Sequence, residues 1–190
     1  IMEGSRAMGA LAEDQAWAAL DGAATADLQR ACRPFSETCG FTMAESAQFT
    51  VLMDDTLALE LGADILGAVP DVFIHADGGK KSISAPGVGN YLTMGKAAAL
   101  TRQLIGEQGL RQHSFVHAHG TGTPQNRTTE SVILDRTAKA FGIEHWPVVA
   151  IKAYLGHSLG SAGGDQLSAA LGSFAHGWLP GIRTVDHIAD

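Results

Sequence analysis

The chain reads as a layered α/β protein, and three observations predict this. Short apolar stretches alternate with helical patterns. Two of those stretches, 115–118 and 148–151, run directly into turns rich in Gly and hydroxyls. Glycine is abundant, at 23 residues, which implies many tight turns or close backbone approaches. A length of 190 residues suits one domain with a real core, and 17% charged residues is ordinary for a globular chain.

The elements follow in order. Ala10, Leu11, Trp17 and Leu20 fall roughly at helical spacing, which predicts one or two helices over 7–31, broken near Asp21-Gly22. Arg33-Pro34-Phe35-Ser36 reads as a turn, since proline lacks a donor and fixes its own φ. Residues 49–53 read as a strand and 55–62 as a short helix. Residues 68–69 and 72–76 are strand-like. Residues 78–90 hold Gly, Lys, Ser and Pro and read as a loop. Leu92, Ala99, Leu100 and Ile105 space a helix over 91–107. A strand at 115–118 precedes a helix at 128–141, capped by Thr128 or Thr129. A strand at 148–151, a helix at 165–175 and an extended piece at 179–182 complete the chain. No repeat or low-complexity tract interrupts it.

Bulk properties exclude several functions. A net charge of −7 argues against a general nucleic-acid binder, which needs a basic face. Two cysteines make no disulfide framework, so reduced thiols in a cytoplasmic protein are expected. No apolar run is long enough for a transmembrane helix, so no membrane partner is expected. Ile1-Met2-Glu3-Gly4 has neither the basic nor the apolar region of a signal peptide. A first residue other than Met suggests a start inside a longer protein or after processing.

The chemistry concentrates in two turns. The first is Val116-His117-Ala118-His119-Gly120-Thr121-Gly122-Thr123-Pro124-Gln125-Asn126. Its glycines let backbone approach a ligand, its threonines offer hydroxyls, and Pro124 stiffens the exit. The second runs Ile151-Lys152-Ala153-Tyr154-Leu155-Gly156-His157, then Gly160-Ser161-Ala162-Gly163. A neutral imidazole at either lip can stabilise a developing oxyanion through a ring N–H. A lysine can help through its field without titrating.

These turns resemble the second half of a β-ketoacyl-[acyl-carrier-protein] synthase, an enzyme that forms carbon–carbon bonds with two His and a Cys. Arg33-Pro34-Phe35 and Gly40-Phe41-Thr42-Met43-Ala44-Glu45-Ser46-Ala47 extend the resemblance, and 77–86 adds a weaker match. It covers roughly residues 30–188. Ala44-Glu45-Ser46 and Asn90-Tyr91 look most like the longer bacterial type that starts fatty-acid synthesis from an acetyl unit. The resemblance implies a thiolase-like αβα fold, here truncated, with a mixed sheet flanked by helices. It implies catalytic roles for His119, His157 and Lys152, pantetheine binding by Thr121 and Thr123, and support from Glu130 and Glu45. It also implies a decarboxylating Claisen condensation of a malonyl thioester with an acyl thioester such as acyl-CoA. No resident cofactor is needed, because the phosphopantetheine arm arrives on the acyl-carrier protein or CoA. A homodimer is implied as well.

Three departures qualify the match. Arg127 stands where the family commonly has Asp. Gln166 stands where many members have a Glu that pairs with the lysine. The adjacent Asp165 is rotated about 100° away on a helix, so it is not expected to substitute directly, and Glu130 is expected to share that task. The family's nucleophilic Cys lies upstream of everything matched. Cys32 and Cys39 lack its small-residue setting, although Arg30 and Arg33 would lower a nearby thiol pKa. Residues 1–190 thus read as a middle-to-C-terminal portion, without the nucleophile-bearing part and the last Gly-rich turn, and inactive alone.

Rival readings are weaker. His113, His117, His119 and His157 could be combined as a zinc set, but no Cys or carboxylate joins them at ligand spacing, so no metal is expected. Gly89 to Lys96 evokes a phosphate loop, but its spacing is too long and Ala97 replaces the required hydroxyl. Lys80, Lys81 and Arg111 could dock an acidic carrier protein, against the plainer reading of solvated charges. A non-catalytic chain-length-factor type of partner, or a polyketide ketosynthase, remains the alternative function. The leading reading has the His119 and His157 rings converge on one cavity within about 8 Å, with Lys152 lining or backing it.

Overall fold

A computed structural model describes residues 1–79 and 85–189. Its helices are α1 (Met2–Ala7), α2 (Asp14–Asp21), α3 (Asp55–Glu60), α4 (Val88–Gln112), α5 (Pro124–Phe141), α6 (Lys152–Leu155) and α7 (Ala162–His176). Two strands, β1 (Val116–His117) and β2 (Val148–Val149), pair in parallel with Val116 opposite Val148. Parallel neighbours need a long crossover, and α5 is that crossover.

The core forms where helices cover this sheet. Phe35, Ala118 and Ala150 make one buried cluster, with Leu134, Val148 and Ile182 packed on it. Ala98, Leu110 and Ile143 make a second between α4 and α5, closed by Ala138, Phe141 and Trp146. On the other face Phe115 meets Phe174 of α7 edge to face, with centroids 5.9 Å apart. Among the described residues no helix is long and apolar enough to cross a membrane.

The helix over 91–107 starts earlier, at Val88, and continues to Gln112 past a break at Gly106. The helix expected at 128 begins at Pro124, with Thr123 as its cap. Proline suits the first helical position, where its missing N–H is not needed. Thr128 and Thr129 instead bond back to the carbonyls of Pro124 and Gln125 inside the helix. The break near Asp21-Gly22 is present, with Gly22 in the left-handed cap of α2.

The strands expected at 49–53, 68–69 and 72–76 do not form. An apolar stretch becomes a strand only when an edge accepts its backbone bonds, and no ladder reaches these residues. Phe49 is 99% and Ile74 87% exposed. Residues 179–182 likewise join no ladder; Tyr154 Oη donates to the Gly181 carbonyl there. The sheet is therefore parallel and two-stranded among the described residues, where a mixed sheet was expected. Lys80 and Lys81 lie outside the described residues.

The N-terminal layer is tied down by backbone bonds between Ala10, Ala12 and Phe41 and by a buried ion pair. Arg33, 4% exposed, donates to both carboxylate oxygens of Asp21 at 2.6 and 2.5 Å. Its guanidinium lies 4.3 Å from the centroid of the buried Trp17 ring. Arg33→Ala is expected to destabilise the chain by about 2–3 kcal/mol, since one charge of a desolvated pair loses its partner. The hydrogen bonds from Arg33 hold the Asp21 carboxyl below the usual carboxylate range. That contribution is present above the unfolded pKa and is lost as pH falls through the folded one. Denaturation at pH 7 and at acid pH checks both parts: the gap between wild type and variant narrows in acid.

Candidate active site

β1 delivers His119 to the surface and α5 holds the turn that follows. The Glu130 carboxylate accepts from the N–H groups of His119 at 2.6 Å and Gly120 at 2.8 Å, and from Asn126 Nδ2 at 2.8 Å. From α7, Gln166 Nε2 donates to the carbonyls of Ala118 at 2.6 Å and His117 at 3.2 Å. Gly120 has φ 51°, and a Cβ there would come within 2.7 Å of the Ala150 Cβ. The two turns touch at that point, so only glycine fits.

β2 runs through Ala150 into α6, whose Lys152 is 2% exposed. Its Nζ donates to the His119 carbonyl at 2.7 Å and stands 3.5 Å from His119 Nδ1. Burial pushes the Lys152 pKa down, opposed first by the charge of Glu130 and also by that of Asp165. Glu130 and Asp165 both act on Lys152 through their fields. Gln166 faces the β1 carbonyls, as an amide donor can and a carboxylate cannot.

His157 is fixed by its backbone and by one ring nitrogen. Its N–H donates to Thr42 O at 2.7 Å, and its carbonyl accepts from Ala44 N at 3.1 Å. Its Nδ1 accepts from Leu159 N at 3.1 Å. The Phe41 ring lies edge to face at 5.3 Å. The His119 and His157 rings stand 5.3 Å apart, nearly perpendicular at 86°. The expected closeness of the rings and the backing lysine are both present.

Both imidazoles are neutral at pH 7. Desolvation drives each pKa down to about 4, and the charge of Lys152 adds to it. His119 is open to solvent on one side even so. Tautomers follow from the partners. Leu159 N–H and an ammonium can only donate, so each Nδ1 is an acceptor and each proton sits on Nε2. The site is a pair of neutral N–H donors beside a buried cation.

Burial also lowers the pKa of His117. An unfolded chain protonates His119 and His157 below about pH 6.5, while the folded chain refuses those two protons until about pH 4. Stability is thus full above pH 6.5 and falls as pH drops toward 4. A melting series from pH 7.5 to 4.5 should show Tm falling by several degrees, with a shallower slope in His157→Asn.

Thr121 and Thr123 meet at the mouth of the first turn, their hydroxyls 2.9 Å apart. Thr123 Oγ1 also accepts from Asn126 N as the cap of α5. The pair uses one hydroxyl hydrogen and leaves one to donate outward. Arg127 donates to the Ser36 carbonyl at 3.1 Å and takes no part in the site. Glu45 is exposed and makes no hydrogen bond or ion pair among the described residues. Its backbone follows the Ala44 N–H that bonds the His157 carbonyl, but its side chain bonds to neither histidine.

Cys32 is buried, with Sγ 4.0 Å from the Thr121 carbonyl. Burial raises its pKa to about 11. Lys152, not Arg30 or Arg33, is the cation that opposes this, and it does not prevail. The Cys39 thiol is raised by burial too. Neither arginine acts on Cys32; Arg33 does pull the Cys39 thiol down, but burial outweighs it. Among the described residues no three His, Cys, Asp or Glu gather as a metal would require. Clefts against Lys96 and Arg102, and between Tyr154 and Trp178, contain neither active-site ring.

Sequence reasoning missed Ser158, Leu159 and Gln48. Leu159 holds a φ of 59°, which no pattern of residue types foretells in a leucine. Gln166 was visible as a departure, but its bonds to β1 were not.

Known proteins resemble this chain. Over its full length the chain is 62% identical to β-ketoacyl-[acyl-carrier-protein] synthase FabY of Pseudomonas aeruginosa, and it spans 30% of that protein's length. The crystal structure of the P. aeruginosa ketosynthase FabY superposes with a TM-score of 0.95 over the whole chain. Erythronolide synthase EryA3 of Saccharopolyspora erythraea is 27% identical over 158 residues, which cover 78% of this chain and 5% of that one. A type II polyketide ketosynthase, AntDE, solved with its acyl-carrier protein AntF, shares the fold at 20% identity, with a TM-score of 0.68 over the whole chain and 45% of that one. The layered α/β architecture is thus that of the thiolase-like ketosynthases. Residues 67–186, which carry both histidine turns and the lysine between them, match the β-ketoacyl synthase C-terminal domain, and the chain belongs to that family.

Proposed function

We propose that this chain supplies the two-histidine half of a decarboxylating condensing enzyme acting in fatty-acid synthesis. One observation carries the reading: two neutral imidazoles, 5.3 Å apart, each presenting Nε2–H. A malonyl thioester that loses CO₂ leaves an electron pair delocalised onto its thioester oxygen. Two N–H donors aimed at that oxygen stabilise the enolate without having to give up a proton. The enolate carbon then attacks an acyl thioester held on a Cys of the longer protein. The new carbon–carbon bond forms as the C–S bond breaks, and the Cys thiolate leaves.

In this reading burial keeps the histidines neutral, and Lys152 reinforces this and orients His119 through its carbonyl. Thr121 and Thr123 offer their spare hydroxyl hydrogen to the pantetheine arm, so no resident cofactor is required. The partner is an acyl-carrier protein, as the AntDE–AntF complex has for its own ketosynthase. Similarity to FabY at 62%, against 27% to the polyketide synthase, supports the fatty-acid assignment over the polyketide one. Following the family resemblance, we assign a cytoplasmic homodimer.

The test is to supply malonyl-acyl-carrier protein and labelled acetyl-CoA to the longer protein that carries this chain. CO₂ release with a labelled β-ketoacyl product is expected; an absence of both would end the reading. The 190-residue chain alone should take no label from acyl-CoA, since a thiol with a pKa near 11 is scarcely ionised at pH 7. Mass spectrometry finding an acyl group on Cys32 would show the nucleophile to be misplaced.

A further inference from the structure

We propose that Asp165 is a positioning residue for His157, acting through Ser158 and Gln48 to hold the left-handed turn at Leu159 that fixes the ring's tautomer. The inference rests on the function proposed above. Asp165 lies in the first turn of α7 and is 7% exposed. A buried carboxylate must be matched by donors. It does not cap its own helix, whose N-cap Ser161 makes no side-chain cap bond. Its Oδ2 accepts from Ser158 Oγ at 2.5 Å, and its Oδ1 accepts from Gln48 Nε2.

Both donors belong to segments that grip His157. Ser158 lies between His157 and Leu159, whose φ of 59° is strained for a leucine and persists only where neighbours enforce it. That backbone conformation aims the Leu159 N–H at His157 Nδ1. Ser161 Oγ donates to the Ser158 carbonyl at 3.1 Å and pairs with Ser46 Oγ at 3.0 Å, securing the other side of the turn. Gln48 ends the strap whose Thr42 carbonyl and Ala44 N–H bracket the His157 backbone. It lies so close to α7 that a Cβ on Gly164 would come within 2.3 Å of its Oε1. One carboxylate therefore ties the turn after His157 to the strap before it. Without that tie Leu159 can relax to negative φ, its N–H leaves Nδ1, and the ring is free to carry its proton on the wrong nitrogen.

The test uses the longer enzyme with ¹⁵N-histidine labelling. Asp165→Ala and Ser158→Ala should each lower kcat for decarboxylation by about ten- to a hundredfold, the range for a small misplacement of a reacting group, with KM within about twofold. The double variant should be no slower than the slower single one, because both cut one tie. In each, the His157 ring shifts should change from a single Nε2–H form to a mixture of tautomers, and Ser158→Thr should restore both rate and tautomer. Ser158→Ala removes one oxygen atom, so it keeps the test alive if Asp165→Ala fails to fold. A Ser158→Ala enzyme with an unchanged tautomer, or losses that multiply in the double variant, would overturn the inference. His157→Ala separates the two layers: if it leaves decarboxylation intact, the site reading itself fails. If it abolishes decarboxylation while Ser158→Ala changes nothing, only the positioning role fails.

Discussion

Replacing His119 or His157 with alanine in the enzyme that carries this chain is expected to slow decarboxylation by about a hundred- to a thousandfold. That is the usual loss for one donor aimed at a developing oxyanion. The two rings stand 5.3 Å apart and are proposed to serve one oxygen, so their contributions are not independent. The double variant should fall short of the product of the single losses. KM should change little, because the bonds strengthen only as charge develops. Single-turnover release of labelled CO₂ from malonyl-acyl-carrier protein measures this directly. Either single variant retaining more than about half the wild-type rate would remove that histidine from the mechanism.

The second large effect belongs to Lys152. Lys152→Met keeps length and apolar contact but removes the charge and the bond to the His119 carbonyl. The fold loses about 1.5–3 kcal/mol of charge-assisted hydrogen bonding. It also escapes the desolvation of a buried ammonium, which is what pushes the lysine pKa down. These changes oppose each other, so Tm should move by only a few degrees. The chemistry should suffer more, by about a hundredfold or beyond, because His119 loses its carbonyl anchor and the donor on Nδ1. The positive charge also lowers the pKa of both rings. Its removal should therefore raise both values toward the ordinary histidine range. A large stability loss with unmoved histidine titrations would make Lys152 merely structural.

The sequence made the site more legible than the fold around it. His119, Lys152 and His157 sit where short strands end in glycine-rich turns, and local residue types suffice to mark such turns. Glu130 was legible for the same reason, one α5 face being enough to return it to β1. Residues 49–53 and 72–76 were misread because strand pairing is non-local: β-branched and aromatic residues state a preference, but only a partner edge makes a ladder. The cap of α5 was misplaced by weighing threonines at 128 and 129 above the Thr123-Pro124 pair, whose geometry fixes the start. Glu45 was placed by motif alone, and its exposed side chain reaches nothing in the site. Ser158, Leu159 and Gln48 were invisible because their roles depend on a positive φ and on contacts between distant segments.

The central claim is that two neutral imidazoles hold their protons on Nε2 beside a buried lysine. Histidine ¹⁵N NMR across pH 4 to 8, assigned with His119→Gln and His157→Gln, tests it most directly. The account predicts Nε2–H tautomers for both rings throughout the neutral range, with titration midpoints near 4. Midpoints near 6.5, or protons on Nδ1, would contradict it.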